Sequence, residues 1–515
     1  MTQGEIEKLA AKTGNIFSRL EVRIMKDIIR RIKENGFVTA SADWQISRLK
    51  QLGESEQTIK QLIQDALGAS DEELERIFSD EVYEQYYGHA HAYELANMQQ
   101  VPLEENEALQ RTVEAMKEQL RGEYRNLTGS MGFAFRGAGG KLQYSPLANA
   151  YRTIMDNAVS DITSGAFDYN AVLKRTVSDL TSSGLRWIDY DSGRRDRVDV
   201  AARRAVLTGF RQVQGKINEQ VAAELHTDMY EVSYHVGARP SHQPWQGRVW
   251  SMEQLKSVCG LGSVTGLCGA NCYHDYKPFP PGSIRTYTDD QLAAMAKKEN
   301  ATKQYNNGRE YNTYEALQQQ RKMERVMRAQ REKIKLLEEG GADPDDIILA
   351  KARYQGQMQT YRDFSKKMQL PEQKARIMQD GLRGQFMPTK TEQKTLAESA
   401  INDKIKVELS EAKIKGIPAI NPAKVDVSEF SYDDKHINAE RSHGVTRAEA
   451  ERYIRESDIS LTRWNGRFVN YYGPNGAAYV DVENKNIRTA FKKEQFDEQV
   501  LKIREVVEKY GSRKD

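Results

Sequence analysis

Two groups of residues have types and spacings that could do chemistry. The first is Cys259-x8-Cys268-x3-Cys272-x-His274, three thiols and an imidazole in one short stretch of the chain. Sulfur and imidazole together suit tetrahedral zinc. The spacing differs from an ordinary finger, because one loose cysteine and a crowded CxxxCxH replace the tight pairs. His235 and His242 lie upstream as spare ligands. No carboxylate stands at a general-base spacing, so the expected metal is a structural zinc on Cys259, Cys268, Cys272 and His274. The alternative is a loop of buried thiols in a reducing compartment. Three cysteines, an odd number, make no disulfide framework.

The second group lies near the C-terminus. His436 and His443 are seven residues apart, which on a helix is two turns, one face and ~10 Å along the axis. RNA cleavage without metal needs a base for the 2′-hydroxyl proton and an acid for the leaving oxygen. It also needs cations and donors around the pentacovalent phosphorus. His436 and His443 are the candidates for base and acid, Arg441 and Arg488 for phosphate binding, and Thr489 and Tyr471 for hydrogen-bond donation. Strand alternation points Arg488 and Thr489 to opposite faces. The alternative is a structural domain whose histidines and arginines are merely surface residues.

Both groups depend on the elements around them. Residues 1–228 read as a mainly helical body: Ile16, Leu20, Ile24, Ile28 and Ile32 recur at helical spacing, and Asn35-Gly36 closes that helix. The stripe Tyr83, Tyr86, Tyr87, His89, His91 and Tyr93 reads as helix packing and surface. Gly132 to Gly140 reads as a loop or hairpin without the Lys-Ser/Thr of a phosphate-binding loop. Between Ser182 and Lys216, Arg186, Arg194, Arg195, Arg197, Arg203, Arg204 and Arg211 interleave with aspartates, the pattern of a salt-bridged helix rather than a nucleic-acid surface. Residues 229–288 form a small, irregular Cys/His module that starts on the alternating MYEVSYHV. Residues 289–416 read as a helical hairpin spacer, stopped at Gly340-Gly341 and restarted at Asp343-Pro344, and then Ile417 to Pro422 as an extended linker.

Residues 425–515 read as an α+β domain with a four-stranded antiparallel sheet. A helix from Tyr432 to Ser442 precedes the capping box Thr446-x-x-Glu449, which opens a second helix. Four strands follow, Ile459–Trp464, Arg467–Tyr472, Ala477–Val482 and Asn486–Phe491, the first two joined by the hairpin signal Asn465-Gly466. A terminal helix closes the chain.

Composition bounds the function classes. The chain has 515 residues, 39% hydrophobic and 29% charged, which suggests several domains with elongated helical parts. Lys+Arg 76 against Asp+Glu 74 excludes a strongly basic nucleic-acid-coating protein. No signal-peptide pattern and no membrane-spanning run stand out, so the expectation is a protein made in a cytoplasm.

Motif blocks in the Cys/His module carry a resemblance. Gly237-Ala-Arg-Pro-Ser-His242, Trp245-Gln-Gly-Arg-Val249, Cys259-Gly-Leu-Gly, Gly266-Leu-Cys-Gly-Ala-Asn-Cys-Tyr-His274 and Pro278-Phe-Pro-Pro-Gly282 fall in order. They resemble the phage minor capsid protein family, similar in place and role to Mu F-type head morphogenesis proteins, over roughly Thr13 to Leu292. The resemblance implies a structural virion protein in few copies, with portal and capsid proteins as partners. It would sit in the capsid interior or near the portal, after assembly in the host cytoplasm.

Lys435-His436-Ile437, Glu440-Arg441-Ser-His443, the Asn465-Gly466 hairpin, Tyr471-Tyr472 and Ile487-Arg488-Thr489-Ala490-Phe491 are similar to the phage-borne nucleases of the barnase–EndoU–colicin–RelE-like group. That resemblance covers about Phe430 to Tyr510 and implies a metal-independent ribonuclease domain, with RNA as partner and Thr489 favoured over Arg488. Two other readings stand beside it: a ribonuclease toxin carried by a long N-terminal part, and a purely structural protein with an inactive C-terminal domain.

Overall fold

A computed structural model describes residues 3–35, 43–136, 142–163, 167–188, 195–306 and 308–511. The chain forms two compact units, Met1–Met387 and Pro388–Asp515. Arg194, Asp189, Asp191, Gly36 and the tip of the Gly132 to Gly140 segment lie outside the described residues.

The N-terminal unit is built around helix Gln3–Asn35. Its Leu20, Ile24, Ile28 and Ile32 are buried, and Ile16 packs at the margin of the same core. Helices Asp43–Arg76, Leu147–Thr163, Tyr169–Ser183, Val198–Glu224 and Thr313–Gly340 surround it. The glycine-rich segment begins in a strand: Met131–Arg136 pairs antiparallel with Leu142–Pro146. In the tyrosine–histidine stripe, Tyr86, His89 and Tyr93 are buried while Tyr83 is exposed.

The expected spacer divides between the units. Helices Thr313–Gly340 and Pro344–Met368 form the anticipated hairpin, with Gly341 left-handed at φ +70° and Pro344 opening the second helix. Their Met327, Ile334, Leu337, Ala350, Tyr354 and Tyr361 belong to the same core as the N-terminal helix. The hairpin is therefore a wall of the body. Its charged surface positions masked a continuous apolar stripe. Asp343 does not cap its own helix; its carboxylate accepts from Asn170 Nδ2 at 2.7 Å.

The arginine-dense segment is largely paired. Arg197 Nη2 lies 2.6 Å from Glu21 and 3.4 Å from Glu332, both buried, and Arg204 pairs with Asp196 at 2.7 Å. Arg211 is buried and donates to Gln214 Oε1 and the Tyr273 carbonyl. The Cys/His module carries a three-stranded sheet in the order Val249–Ser251, Met229–Val232, Tyr276–Pro278. Tyr230, Val232, Trp245, Leu255, Cys259 and Tyr276 form its core.

In the C-terminal unit the sheet has six strands, not the expected four. The four-stranded meander is present, and each side gains one strand. Ile417–Ile420, expected as a linker, pairs antiparallel with Ile459–Arg463. Pro418 is tolerated because an edge strand leaves one row of N–H positions unused. Ser431–Tyr432 pairs parallel with Asn486–Ile487, in place of the helix start expected at Tyr432. Helices Lys390–Glu411 and Glu498–Gly511 cover one face through Ile405, Leu409, Val500 and Val506 against Tyr472, Ala477 and Phe491. Helix Arg447–Glu456 covers the other through Ala450, Tyr453 and Ile454 against Tyr471, Ala478, Ile487 and Ala490. The Thr446/Glu449 capping box forms as expected. So does the hairpin: Asn465 and Gly466, both at positive φ, are the central residues of a turn closed by Arg467 N–H to the Trp464 carbonyl at 3.1 Å. No helix among the described residues is long and apolar enough to cross a membrane.

Candidate functional sites

In the N-terminal unit, His242, Cys272 and His274 converge, all three buried. Tight turns bring them together. Gly266 and Gly269 sit where a Cβ would lie 2.1 Å from the Gly260 carbonyl oxygen and 2.5 Å from that of Val264. Cys268 and Asn271 hold left-handed backbones at φ +59° and +56°. The loop thereby doubles back, and Cys272 and His274 face the turn that carries His242.

The donor geometry fits a metal. His242 Nδ1 lies 3.4 Å from His274 Nδ1, and Cys272 Sγ lies 3.8 and 3.4 Å from the two nitrogens. A tetrahedral ion with metal–nitrogen bonds of ~2.0–2.1 Å and a metal–sulfur bond of ~2.3 Å sets these edges at ~3.3 and ~3.6 Å. The far ring nitrogens fix the tautomers. His242 Nε2 reaches the Thr265 carbonyl at 2.8 Å and His274 Nε2 reaches Gln246 Oε1 at 2.9 Å. Both acceptors require Nε2–H, so each Nδ1 turns a lone pair inward, the outer-sphere arrangement usual for metal-binding histidine. Burial drives the His274 imidazole far below its ordinary pKa and lowers His242, so both rings are neutral ligands.

Of the four expected ligands, the structure brings together Cys272 and His274. His242, named from sequence as a spare, takes the third place. Cys259 packs in the module core, and Cys268 Sγ lies against the His274 carbonyl at 3.5 Å. The ligand atoms of the group are one imidazole from the 237–242 turn and a thiol and imidazole two residues apart. The fold selects these; sequence distance alone favoured the nearer cysteines.

In the C-terminal unit, His436, Arg441, His443, Arg488 and Thr489 line one cleft of about 550 Å³. Two departures from regular structure bring them there. The expected helix is one wide turn, Lys435–Glu440, closed by Arg441 N–H to the His436 carbonyl. Ser442 then takes a left-handed φ of +54°. His443 thus reaches the cleft by a reversal of the chain, not by helical periodicity. In the sheet, Tyr479 pairs with Thr489 but Val480 pairs with Ile487, so Arg488 is an extra residue in a bulge. The bulge breaks alternation and lets Arg488 and Thr489 line the same cleft, against the opposite faces expected of a regular strand.

His443 Nδ1 lies 3.2 Å from Gln495 Oε1, which also accepts the Lys492 N–H at 3.3 Å. An acceptor there assigns the proton to Nδ1 and leaves Nε2 as the free base nitrogen. Burial lowers the His443 pKa, and Arg441 and His436 lower it further, against the opposing bond to Gln495. His436 Nδ1 pairs with the Glu440 carboxylate at 3.1 Å. The Arg488 guanidinium lies over the Phe468 ring, 5.1 Å from its centroid, and Trp464 beside it is 75% exposed.

Tyr471 stands apart. It is buried on the opposite sheet face, where its hydroxyl accepts from Val425 N–H at 3.1 Å and donates to the Ala423 carbonyl at 3.0 Å. Asn470, Trp464, Tyr479 and Gln495 line the cleft without having been singled out from sequence. Alternation along Phe468–Tyr472 was the available signal for Asn470; no local signal pointed to Gln495.

No curated protein and no solved structure matches the chain. A family model described as phage minor capsid protein 2 matches residues 1–366, which ends before the C-terminal unit begins. The match spans well over half of the chain, including the whole of the Cys/His module, and on that ground the chain belongs to the phage minor capsid protein 2 family.

Proposed function

We propose that this minor capsid family member is a low-copy component of the phage head, situated near the portal, that carries a metal-independent ribonuclease at its C-terminus. The observation behind the enzymatic half is the convergence of His436, His443, Arg441, Arg488 and Thr489 on one cleft. His443 Nε2 takes the proton of a ribose 2′-hydroxyl. The 2′-oxygen attacks phosphorus while Arg441 and Arg488 offset the charge on the phosphoryl oxygens and Thr489 donates to one of them. The P–O5′ bond breaks, His436 protonates the departing oxygen, and the products are a 2′,3′-cyclic phosphate and a 5′-hydroxyl. Trp464, exposed at the cleft, offers a ring on which a base stacks.

In the N-terminal unit, zinc on His242, Cys272 and His274 would pin the irregular module, with capsid and portal proteins as the partners of the body. The test is cleavage of labelled RNA and DNA by the Pro388–Asp515 fragment in chelator; its two apolar cores are its own. RNA should be cut to cyclic ends and DNA spared. Cleavage that needs magnesium, or that survives loss of both histidines, defeats the reading. A mass-spectrometric count in purified particles tests the structural half, with fewer copies than the major capsid protein expected.

A further inference from the structure

The N-terminal unit holds a second cleft, of about 370 Å³, between helix Val198–Glu224, helix Thr313–Gly340 and the Cys/His module. Among its described lining residues are seven arginines and one carboxylate, Glu324. Three of the arginines have carboxylate partners. Arg204 is held by Asp196 at 2.7 Å, Arg328 lies 3.4 Å from Asp199, and Arg376 lies 3.7 Å from Glu324. Glu324 is further engaged by the Tyr361 hydroxyl at 3.2 Å.

Arg203, Arg239 and Arg325 are left facing the cleft with their charge. Arg203 and Arg325 have no carboxylate partner among the described residues. Arg239 is held by backbone oxygens among the described residues, donating to the Ala270 carbonyl at 2.8 Å and that of Thr265 at 3.4 Å. The Arg321 guanidinium lies over the Tyr273 ring, 5.5 Å from its centroid. Arg321, Arg325 and Arg328 stand at i, i+4 and i+7, one face of one helix.

Like charges at that spacing destabilise a helix. Burial, Arg328 and Arg321 depress the Arg325 pKa, with Glu324 opposing them. The fold therefore carries a cationic stripe whose repulsion is offset only in part, by Asp199 at Arg328, by the Tyr273 ring at Arg321 and by Glu324. A ligand that neutralises it recovers that cost. Planar guanidinium forks from three directions, one of them already oriented by carbonyls, match the tetrahedral oxygens of phosphate. The arginine side of the cleft is polar and cationic, which disfavours an apolar guest or a cation there.

We infer that this cleft binds phosphate groups through Arg203, Arg239 and Arg325, either as free phosphate or as consecutive phosphates of a nucleic-acid backbone. His242 and Cys272 of the metal group also line this cleft, but the inference rests on the arginines and not on whether a metal is bound, nor on the C-terminal cleft.

The experiment uses the full chain and two probes: inorganic phosphate, and a fluorescent DNA duplex titrated at several salt concentrations. DNA leaves the ribonuclease reading aside. Phosphate is expected to protect Arg203 and Arg325 from phenylglyoxal, read by peptide mass spectrometry on the unmodified sequence. Duplex binding, if the backbone is the source, should fall linearly in log–log with salt. The pair R203Q and R325Q should then reduce that slope by about 2. Between 50 and 200 mM salt this is on the order of a tenfold smaller loss of affinity. Phosphate protection without duplex binding assigns the cleft to a small anion; both together assign it to a polynucleotide. Equal labelling of Arg203 and Arg325 with and without either probe overturns the inference, and needs no variant to fold.

Discussion

His242 and His274 are 32 residues apart in sequence, yet their Nδ1 atoms face each other at 3.4 Å, each ring held from behind by an oxygen acceptor. Two inward lone pairs at that distance repel unless a cation or a thiol proton lies between them, and Cys272 completes the triangle. The full-length protein should contain about one tightly bound zinc. His242→Ala and Cys272→Ala should each abolish it, whereas Cys259→Ala and Cys268→Ser should retain it. Elemental analysis of the four variants checks this, and zinc lost from the Cys259 variant but kept in the His242 variant would return the site to the sequence-based ligand set.

Tyr471 separates stability from catalysis. Removing its hydroxyl leaves the Val425 N–H and the Ala423 carbonyl without their partner. Tyr471→Phe should cost about 1–3 kcal/mol of unfolding free energy and leave the RNA cleavage rate nearly unchanged. His443→Ala and His436→Ala should do the reverse, lowering the rate by ~10²–10⁴-fold. Thr489→Val should raise the barrier by ~1.5–3 kcal/mol. Urea midpoints and single-turnover rates on the same fragments distinguish the two patterns.

The pH profile of cleavage follows from His443. Its depressed pKa means that the base form persists below the ordinary imidazole value of ~6.5. The rising limb of the rate should therefore lie on the acid side of that value. Gln495→Ala removes the bond that opposes the depression, so it should move the limb still further to acid. A limb above ~6.5 in the parent fragment assigns the base to another group.

Glu332 gives the N-terminal unit its own pH dependence. Burial raises its carboxyl to about 8, with Arg197 opposing and Glu21 adding to the shift. The folded state keeps a proton that the unfolded chain releases near ~4.3. Between those values the native state binds more protons, so this residue's contribution to stability falls as pH rises toward 8. Glu332→Gln should flatten that slope, measured as the pH dependence of the N-terminal unit's unfolding transition by calorimetry.

Gly340 tests the docking of the helical hairpin. An added Cβ would lie 2.5 and 2.7 Å from the Leu173 methyls and 3.1 Å from Ile29 Cγ2, all in the closed core. Overpacking of that kind costs ~1–3 kcal/mol, against ~1 kcal/mol of helix propensity gained by replacing glycine. Gly340→Ala should be net destabilising by up to ~2 kcal/mol. A stabilised variant in thermal melts would mean that the hairpin does not pack on the body.

Local chemistry was readable from the residues themselves. The capping box at Thr446, the turn at Asn465-Gly466, the stop at Gly341 and the apolar spacing from Leu20 to Ile32 each involve atoms within a few residues, so short-range sterics and hydrogen bonds decide them. The candidate residues His436, Arg441, His443 and Thr489 were legible as types for the same reason. What joins them was not. The bulge that turns Arg488 to the side of Thr489 arises from register across two strands, and the exclusion of Tyr471 from which sheet face a distant helix covers. Pro418 and Ser431 become sheet edges only because Ile459–Arg463 and Asn486–Ile487 offer them unpaired backbone. The group that could hold a metal includes His242 and not Cys259 or Cys268, because metal geometry is a matter of angstroms between side chains, which chain distance does not report. Sequence determined the elements and the chemistry available to them; tertiary structure decided which groups meet, because convergence is set by long-range packing and register rather than by local preference.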